Sequence, residues 1–188
     1  MAYKLDTVKL LIVDDMIPML TLAKSALSIM GFGEIYTARN GEEAFELVVK
    51  HDPDLIITDW VMEPMDGLEF TKKVRKDPMA PNPYVPIIMM TGFSSKMRVE
   101  MSRDHGITEF IVKPFTAKGL YTRVYQIVEK PRQFVDAGEF FGPDRRRKRG
   151  DGYEGPRRRD VDTSKKEPSQ PKQALDILNK LREEAKKV

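Results

Sequence analysis

The sequence contains no cysteine, only two histidines and a single tryptophan. The absence of cysteine excludes disulfides and thiolate chemistry, and it suits a reducing cytoplasm. No stretch approaches the ~20 consecutive apolar residues that a membrane-spanning helix needs, and the first fifteen residues lack the apolar segment of a secretion signal. We therefore expect a soluble, cytoplasmic protein without a membrane span.

Positive charge is concentrated in one short segment of the chain. The 188 residues carry a net charge of +3. Residues 144–160 alone hold eight Lys or Arg and four acids, so that segment carries +4 and the remainder carries −1. A local positive patch of this kind usually meets an anion.

Short apolar runs alternate with helical patterns through the first two-thirds of the chain. The runs are continuous or rich in β-branched residues, as in strands that are covered on both faces. The predicted strands are Val8–Val13, Glu34–Ala38, Asp54–Thr58, Pro86–Thr91 and Glu109–Val112. The predicted helices are Met19–Gly31, Gly41–Lys50, Leu68–Lys76, Lys96–His105 and Thr116–Glu129. This alternation predicts an α/β fold with a five-stranded, doubly wound parallel sheet.

The composition changes after this domain, which we place at residues 5–130. Residues 131–168 form an Arg-rich tail, in which 133–141 are apolar enough to pack back on the domain. Residues 142–166 are rich in Gly, Pro and charge, so we expect them to be disordered in the absence of a ligand. Residues 169–188 return to a short amphipathic helical pattern with a leucine stripe.

Five polar residues follow or end the predicted strands. Parallel strands bring their carboxyl ends to one edge of the sheet, where ligands bind in such folds. Clustered carboxylates repel one another, and a hard divalent cation such as Mg²⁺ would neutralise them and leave one able to accept a phosphoryl group. A hydroxyl and an ammonium would hold the phosphoryl oxygens. Each acid alone is explained as a turn former. The five residues together, in this order along the chain, predict a phosphoryl site made of Asp14, Asp15, Asp59, Thr91 and Lys113.

The segments LLIVDD, DLIITDWVMEPMDGLEF, IIMMTG and FIVKPF resemble the receiver domain of CheY-like response regulators, which has a flavodoxin-like fold. The resemblance implies that Asp59 is the phosphoacceptor and that a cognate histidine kinase supplies the phosphoryl group. It further implies that Asp15, Asp59 and the Val61 carbonyl bind Mg²⁺ directly, and that Asp14 does so through water. The remaining implied roles are phosphoryl contacts for Thr91 and Lys113, a switch aromatic at Phe110, and a cis bond at Lys113–Pro114.

Two departures from the family pattern lie next to the phosphoacceptor. The family reads Asp-x-x-Met-Pro, whereas Glu63 precedes Pro64 here and places the proline one residue late. Val61 and Phe93 are apolar at positions where polar residues in some relatives help water to attack. We therefore expect slow loss of the phosphoryl group. No catalysis is expected beyond self-phosphorylation and hydrolysis at Asp59, so the protein is not classed as an enzyme.

The Arg-rich tail contains a motif that repeats after thirteen residues, because Gly142-Pro143 aligns with Gly155-Pro156. Binding to DNA, RNA or anionic lipid requires only positive charge, which the arginines supply. The interleaved acids would weaken such binding because they repel phosphate. Guanine can be recognised by side chains of both charges. Arginine donates to its O6 and N7 atoms, and a carboxylate accepts hydrogen bonds from the N–H groups on the opposite edge. A two-fold-symmetric ligand with two guanines and two phosphates would suit the doubled motif, and cyclic di-GMP is such a ligand. Composition alone leaves open that the arginine run is only a solvated linker.

The stretch FGPDRRRKRGD after a receiver resembles the Cle group of CheY-like cyclic di-GMP effectors. That resemblance implies that cyclic di-GMP is bound by these residues of the tail: Arg145, Arg146, Arg147, Arg149, Asp151, Tyr153, Arg157, Arg158, Arg159 and Asp160. It also implies interaction with the flagellar motor switch protein, control of motility and surface attachment, and recruitment to the flagellated pole. No specific nucleic-acid partner is expected. One alternative stays open, a phosphorelay or chemotaxis regulator of the CheY type whose basic tail is only an electrostatic tether to nucleic acid or membrane.

Overall fold

In the computed structural model, described residues are 5–92, 105–129, 132–136 and 141–144. They contain a parallel sheet whose strands lie in the order β2-β1-β3-β4-β5. The strands are β1 (Lys9–Val13), β2 (Glu34–Ala38), β3 (Leu55–Asp59), β4 (Ile87–Thr91) and β5 (Glu109–Val112). The helices are α1 (Ile17–Ile29), α2 (Gly41–His51), α3 (Gly67–Lys76) and α4 (Ala117–Glu129). The α/β fold class predicted from the sequence is confirmed.

The sheet is covered on both faces because alternate residues of each strand point to opposite sides. On one face Leu10 and Ile12 pack with α1 and α4. On the other face Leu11 and Val13 pack with α2 and α3. Every residue of β3 and β4 is buried, which explains why these strands read as continuous apolar runs.

Local signals in the sequence start and stop the helices. The Asn40 side chain accepts a hydrogen bond from the Glu43 amide at 2.9 Å and caps α2. Asp66 and Glu69 form a reciprocal capping box at the start of α3. Gly31, with a φ of +99°, follows the end of α1 in the left-handed conformation that glycine favours, as predicted for the residue after a helix.

The observed boundaries differ from the sequence predictions by one or two residues. Helix α1 begins at Ile17 rather than Met19 because Pro18 fits the first turn of a helix. Helix α4 begins one residue later than predicted, and the Thr116 hydroxyl accepts from the Gly119 amide at 3.1 Å instead. The predicted helix Lys96–His105 lies outside the described residues except for His105, which lies in a turn. The helical pattern in residues 169–188 lies wholly outside them.

The segment after α4 returns to the domain, as its apolar residues predicted. Strands β6 (Phe134–Asp136) and β7 (Phe141–Pro143) pair in antiparallel fashion. Gly142 and Pro143 are buried in β7, which differs from the disorder that we expected from residue 142 onward. They are ordered because the pairing and the adjacent aromatic rings give their backbone a packed partner. In the part of the chain that the structure describes, no helix is long and apolar enough to span a membrane.

A close approach at Gly67 yields a prediction about stability. A Cβ built there would lie 2.1 Å from the main-chain oxygen of Asp59. Gly67→Ala should therefore lower the free energy of unfolding by about 2 kcal/mol or more, because main-chain atoms must move. Chemical denaturation measures this change. Gly119→Ala is the matched control, since its nearest contact would be 3.4 Å; an equal loss in both variants would contradict the explanation.

Candidate phosphoryl site

Four charged side chains meet at the carboxyl edge of the sheet. Asp14 and Asp15 directly follow β1, Asp59 is the last residue of β3, and Lys113 directly follows β5. One oxygen from each of the three carboxylates lies within 4.8 Å of the others. The structure therefore brings together the acids that the sequence singled out, on strands that are neighbours in the sheet.

The Lys113 ammonium group bridges two of these carboxylates. Its Nζ lies 2.7 Å from Asp14 Oδ2 and 3.0 Å from Asp59 Oδ1. Asp14 is fully buried, and its other oxygen accepts from the Met16 amide at 2.9 Å. Asp15 is exposed, so its carboxylate lies on the solvent side of the cluster.

Burial and neighbouring charges shift the protonation equilibria of this cluster. Burial raises the pKa of Asp59, and the nearby Asp14 charge adds to the increase, while Lys113 opposes it. Burial alone would lower the pKa of Lys113, but its hydrogen bonds and attraction to Asp14 and Asp59 outweigh that effect and raise it. One ammonium facing three ionised carboxylates leaves a formal charge of −2. That deficit matches a divalent cation bound by oxygen ligands.

The other receiver residues singled out from the sequence lie around this cluster. Thr91 ends β4, is fully buried, and its carbonyl accepts from the Lys113 amide at 2.7 Å. Val61 is 60% exposed in the loop after β3. The Lys113–Pro114 bond is cis, as the resemblance implied, and so is the displaced Glu63–Pro64 bond.

Phe110 is buried, at 9% exposure, in a small cluster with Met89 and Ile107. Trp60 and Leu68 pack against that cluster. Sequence reasoning did not assign a role to Trp60, although it directly follows the phosphoacceptor candidate. Its amide donates to the Met90 carbonyl at 3.0 Å and its carbonyl accepts from the Gly67 amide at 2.9 Å. Trp60 thus links the main chain beside Asp59 with the side chains around Phe110.

The tail residues predicted to bind cyclic di-GMP, from Arg145 to Asp160, lie outside the described residues. Their predicted roles stay predictions. Asp144, directly before them, is the last described residue, and its amide donates to the Gln133 carbonyl at 2.6 Å.

The fold and the acidic cluster at the strand ends define a receiver domain. Residues 10–125 match the response regulator receiver domain family, and the chain belongs to it. A chemotaxis protein CheY homolog of Campylobacter jejuni is 37% identical over 121 residues, which are 64% of this chain and 92% of that protein. Chemotaxis protein CheY1 of Helicobacter pylori is 41% identical over 113 residues, 60% of this chain and 90% of that protein.

Solved structures agree with this assignment. The chemotaxis response regulator CheY4 of Vibrio cholerae superposes with a TM-score of 0.59 and 32% sequence identity, covering 64% of this chain and 98% of that one. A response regulator from Chloroflexus aurantiacus gives the same TM-score at 31% identity, covering 64% and 96%. The chain is therefore a response regulator receiver of the CheY type with an additional C-terminal segment.

The raised pKa of Asp59 predicts that ionisation of this carboxyl group lowers the free energy of unfolding. The folded protein binds this proton more tightly than the unfolded chain does, so stability falls as pH rises from the ordinary value of 3.8 through the folded-state pKa. Asp59→Asn should stabilise the metal-free protein at neutral pH by about 1 kcal/mol, a usual single-site effect. This gain in stability should disappear as the pH falls to the ordinary carboxyl pKa, where Asp59 of the native protein is protonated.

Thermal unfolding between pH 4 and pH 8 without divalent metal measures this difference. Glu46→Gln removes an exposed carboxylate from α2, away from the cluster, and should change little at any pH. Added Mg²⁺ should stabilise the native sequence more than Asp59→Asn. An Asp59→Asn protein that is less stable than the native protein at neutral pH would contradict the proposed destabilising effect of the Asp59 charge.

Proposed function

We propose that this receiver is a phosphorylation-controlled switch whose phosphoacceptor is Asp59. The observation that carries the proposal is the Lys113 ammonium held 2.7 and 3.0 Å from two of three clustered carboxylates. Phosphoryl transfer needs an oxygen nucleophile, a means of neutralising phosphoryl charge, and a fixed geometry. The cluster provides the nucleophile and one fixed cation on rigid strand ends.

The carboxylate set fits Mg²⁺, because three oxygen donors converge with a net negative charge. Asp15, Asp59 and the Val61 carbonyl would hold the ion, and Asp14 would contact it through water. The ion would supply charge neutralisation at the phosphoryl oxygens. An Asp59 oxygen attacks the phosphorus of a phosphohistidine or a small acyl phosphate, the bond from phosphorus to the donor breaks, and the donor leaves with that electron pair. Thr91 and Lys113 contact the transferred phosphoryl oxygens.

The response to phosphorylation would be a population shift near β4 and β5. Thr91 and Phe110 belong to these neighbouring strands, which pair Met89 with Phe110 and Thr91 with Val112. Movement of Thr91 toward a phosphoryl group would alter the packing of Phe110 against Met89 and Trp60. A cognate histidine kinase would be the physiological phosphoryl donor.

The finer part of the proposal concerns the tail. We infer that residues 145–160 bind cyclic di-GMP and that the protein then engages the flagellar motor switch to control motility and surface attachment, as in the Cle group. The protein would act in the cytoplasm and at the flagellated pole. Support comes from the doubled Arg and Asp pattern, from the receiver family, and from similarity to proteins whose names place them in chemotaxis.

A second candidate function is a CheY-type regulator controlled by phosphorylation alone. In that case the basic tail is an electrostatic tether to nucleic acid or membrane. The local charge of +4 favours such a tether, whereas the interleaved acids disfavour it. The two functions differ in whether the tail distinguishes guanine from other anions.

Phosphorylation is tested with a small acyl phosphate donor and Mg²⁺. The native chain should gain one phosphoryl group by intact mass, Asp59→Asn should gain none, and omission of Mg²⁺ should suppress labelling. Asp54→Asn is the matched control, because Asp54 is also buried but lies at the opposite end of the same strand, where it accepts from the Lys9 amide at 3.0 Å. Labelling of Asp59→Asn to the native level would overturn the assignment.

The same labelled protein tests the apolar surroundings of the phosphoryl group. After removal of the donor, the native protein should lose its label over minutes or longer. Val61→Asn places a polar group beside Asp59 and should shorten the lifetime. A native lifetime of only seconds, or one that Val61→Asn leaves unchanged, would contradict the role given to Val61.

Ligand binding by the tail is tested by calorimetry on the full chain. Cyclic di-GMP should give saturable heat at micromolar concentration. Replacement of Arg145–Arg147 or of Arg157–Arg159 by alanine should each abolish it. Competition with GTP, cyclic di-AMP and DNA should show a guanine preference. A steep salt dependence shared by every polyanion would instead support the tether.

A further inference from the structure

A buried cation lies at the other end of the sheet. Arg75, in the last turn of α3, is 5% exposed. Its guanidinium group donates to the Pro83 carbonyl at 2.8 Å and to the Gly106 carbonyl at 2.9 and 3.1 Å. Among the described residues, no carboxylate forms an ion pair with it. Burial lowers the pKa of Arg75 to about 9, which leaves the group charged at neutral pH.

The face of this guanidinium is covered by the hairpin of β6 and β7. Its central carbon lies 5.2 Å from the centre of the Phe134 ring, within the range of a cation–π contact. Phe134 also meets Phe141 at 5.8 Å between ring centres. Tyr84 meets both rings, at 5.3 and 5.2 Å. A charged group that has lost its water is thus enclosed by carbonyl oxygens and aromatic faces.

An ion pair provides a second attachment for the same hairpin. Arg132, two residues before β6, lies 2.9 Å from the Glu109 carboxylate. Glu109 is buried and also lies 3.6 Å from Arg123 of α4. Gly106 allows the close approach, because a Cβ there would lie 3.0 Å from the Phe141 carbonyl oxygen. The cation–π contact and the ion pair therefore both hold the β6 side of the hairpin, and β7 is held by its pairing with β6.

The position of these contacts determines where the tail begins. Pro83 precedes β4, Gly106 precedes β5, and Glu109 is the first residue of β5. The anchor therefore lies at the amino edge of the sheet, whereas the phosphoryl site lies at its carboxyl edge. Five residues of a strand separate the two edges by roughly 15 Å. Arg145, the first of the predicted ligand-binding residues, directly follows Asp144 in the sequence.

We propose that Arg75 is a positioning residue that fixes the hairpin of β6 and β7, which ends beside Asp144, at the amino edge of the receiver, so that the Arg-rich residues that follow start from a fixed point. This inference rests on the proposed ligand binding by the tail. Anchoring removes part of the freedom that the segment would otherwise lose on binding, which increases affinity without a new ligand contact.

The anchor is tested first without ligand, by hydrogen exchange of the full-length chain followed by mass spectrometry. Arg75→Leu and Phe141→Ala should each accelerate exchange in peptides covering residues 133–144 by about tenfold or more, with little change in β1 and β3. Lys76→Gln is the matched control, since it removes an exposed cation from the same turn. Phe141 lies beyond α4, so its variant reports on the anchor even where Arg75→Leu unfolds the domain. Unchanged exchange in Phe141→Ala overturns the anchor.

Calorimetry with cyclic di-GMP on the same full-length variants tests the positioning role. Arg75→Leu and Phe141→Ala should weaken binding by about fivefold or more at unchanged stoichiometry, the size of a typical coupling between sites, whereas Lys76→Gln should bind like the native chain. Native affinity in a variant with accelerated exchange overturns the positioning role. Absence of binding by the native chain overturns the ligand proposal and the positioning role together, while the exchange result still decides whether the hairpin is anchored.

Discussion

The contact of Lys113 with Asp14 and Asp59 is the constraint on which the functional edge of this protein depends. Three carboxylates within 4.8 Å repel one another, and a single ammonium compensates for only part of that charge. The raised pKa of Asp59 shows that the native fold holds this carboxylate in an unfavourable environment. Such a site favours cations and electrophiles that relieve the repulsion. In the proposed function, affinity for Mg²⁺ and reactivity toward a phosphoryl donor would both follow from this one electrostatic imbalance.

The parallel sheet makes this imbalance possible by fixing the strand ends. Residues of β3 and β4 are wholly buried between two helical layers, so their carboxyl ends have little freedom to separate. Gly67 lets the main chain after β3 pass within contact of the Asp59 carbonyl, where a side chain would not fit. The hydrophobic packing on the two faces of the sheet therefore offsets the electrostatic repulsion between the clustered carboxylates.

The buried Arg75 and the half-buried Lys113 are cations at opposite edges of the same sheet, and their partners differ in kind. Lys113 faces carboxylates, and its ion pairs form part of the candidate phosphoryl site. Arg75 faces main-chain carbonyls and an aromatic ring, and its contacts fix a chain segment in place. The planar guanidinium suits the second task, because it can donate along its edge while a ring covers its face. The candidate phosphoryl site therefore lies at the carboxyl edge of the sheet and the Arg75 contacts lie at its amino edge, and β4 and β5 run between them.

The sequence alone determined the succession of strands and helices along the chain and the set of residues at the strand ends, because periodicity and turn chemistry are local. It also indicated that residues 133–141 would return to the domain. Only the tertiary structure decided that Lys113 bridges Asp14 and Asp59, that Trp60 joins the packing around Phe110, and that Gly142 and Pro143 are buried. It also assigned Arg75, which the sequence presents as one of several cations on α3, to an interior position against Phe134. These features join residues that are distant along the chain, and local patterns carry no information about which distant partners will meet.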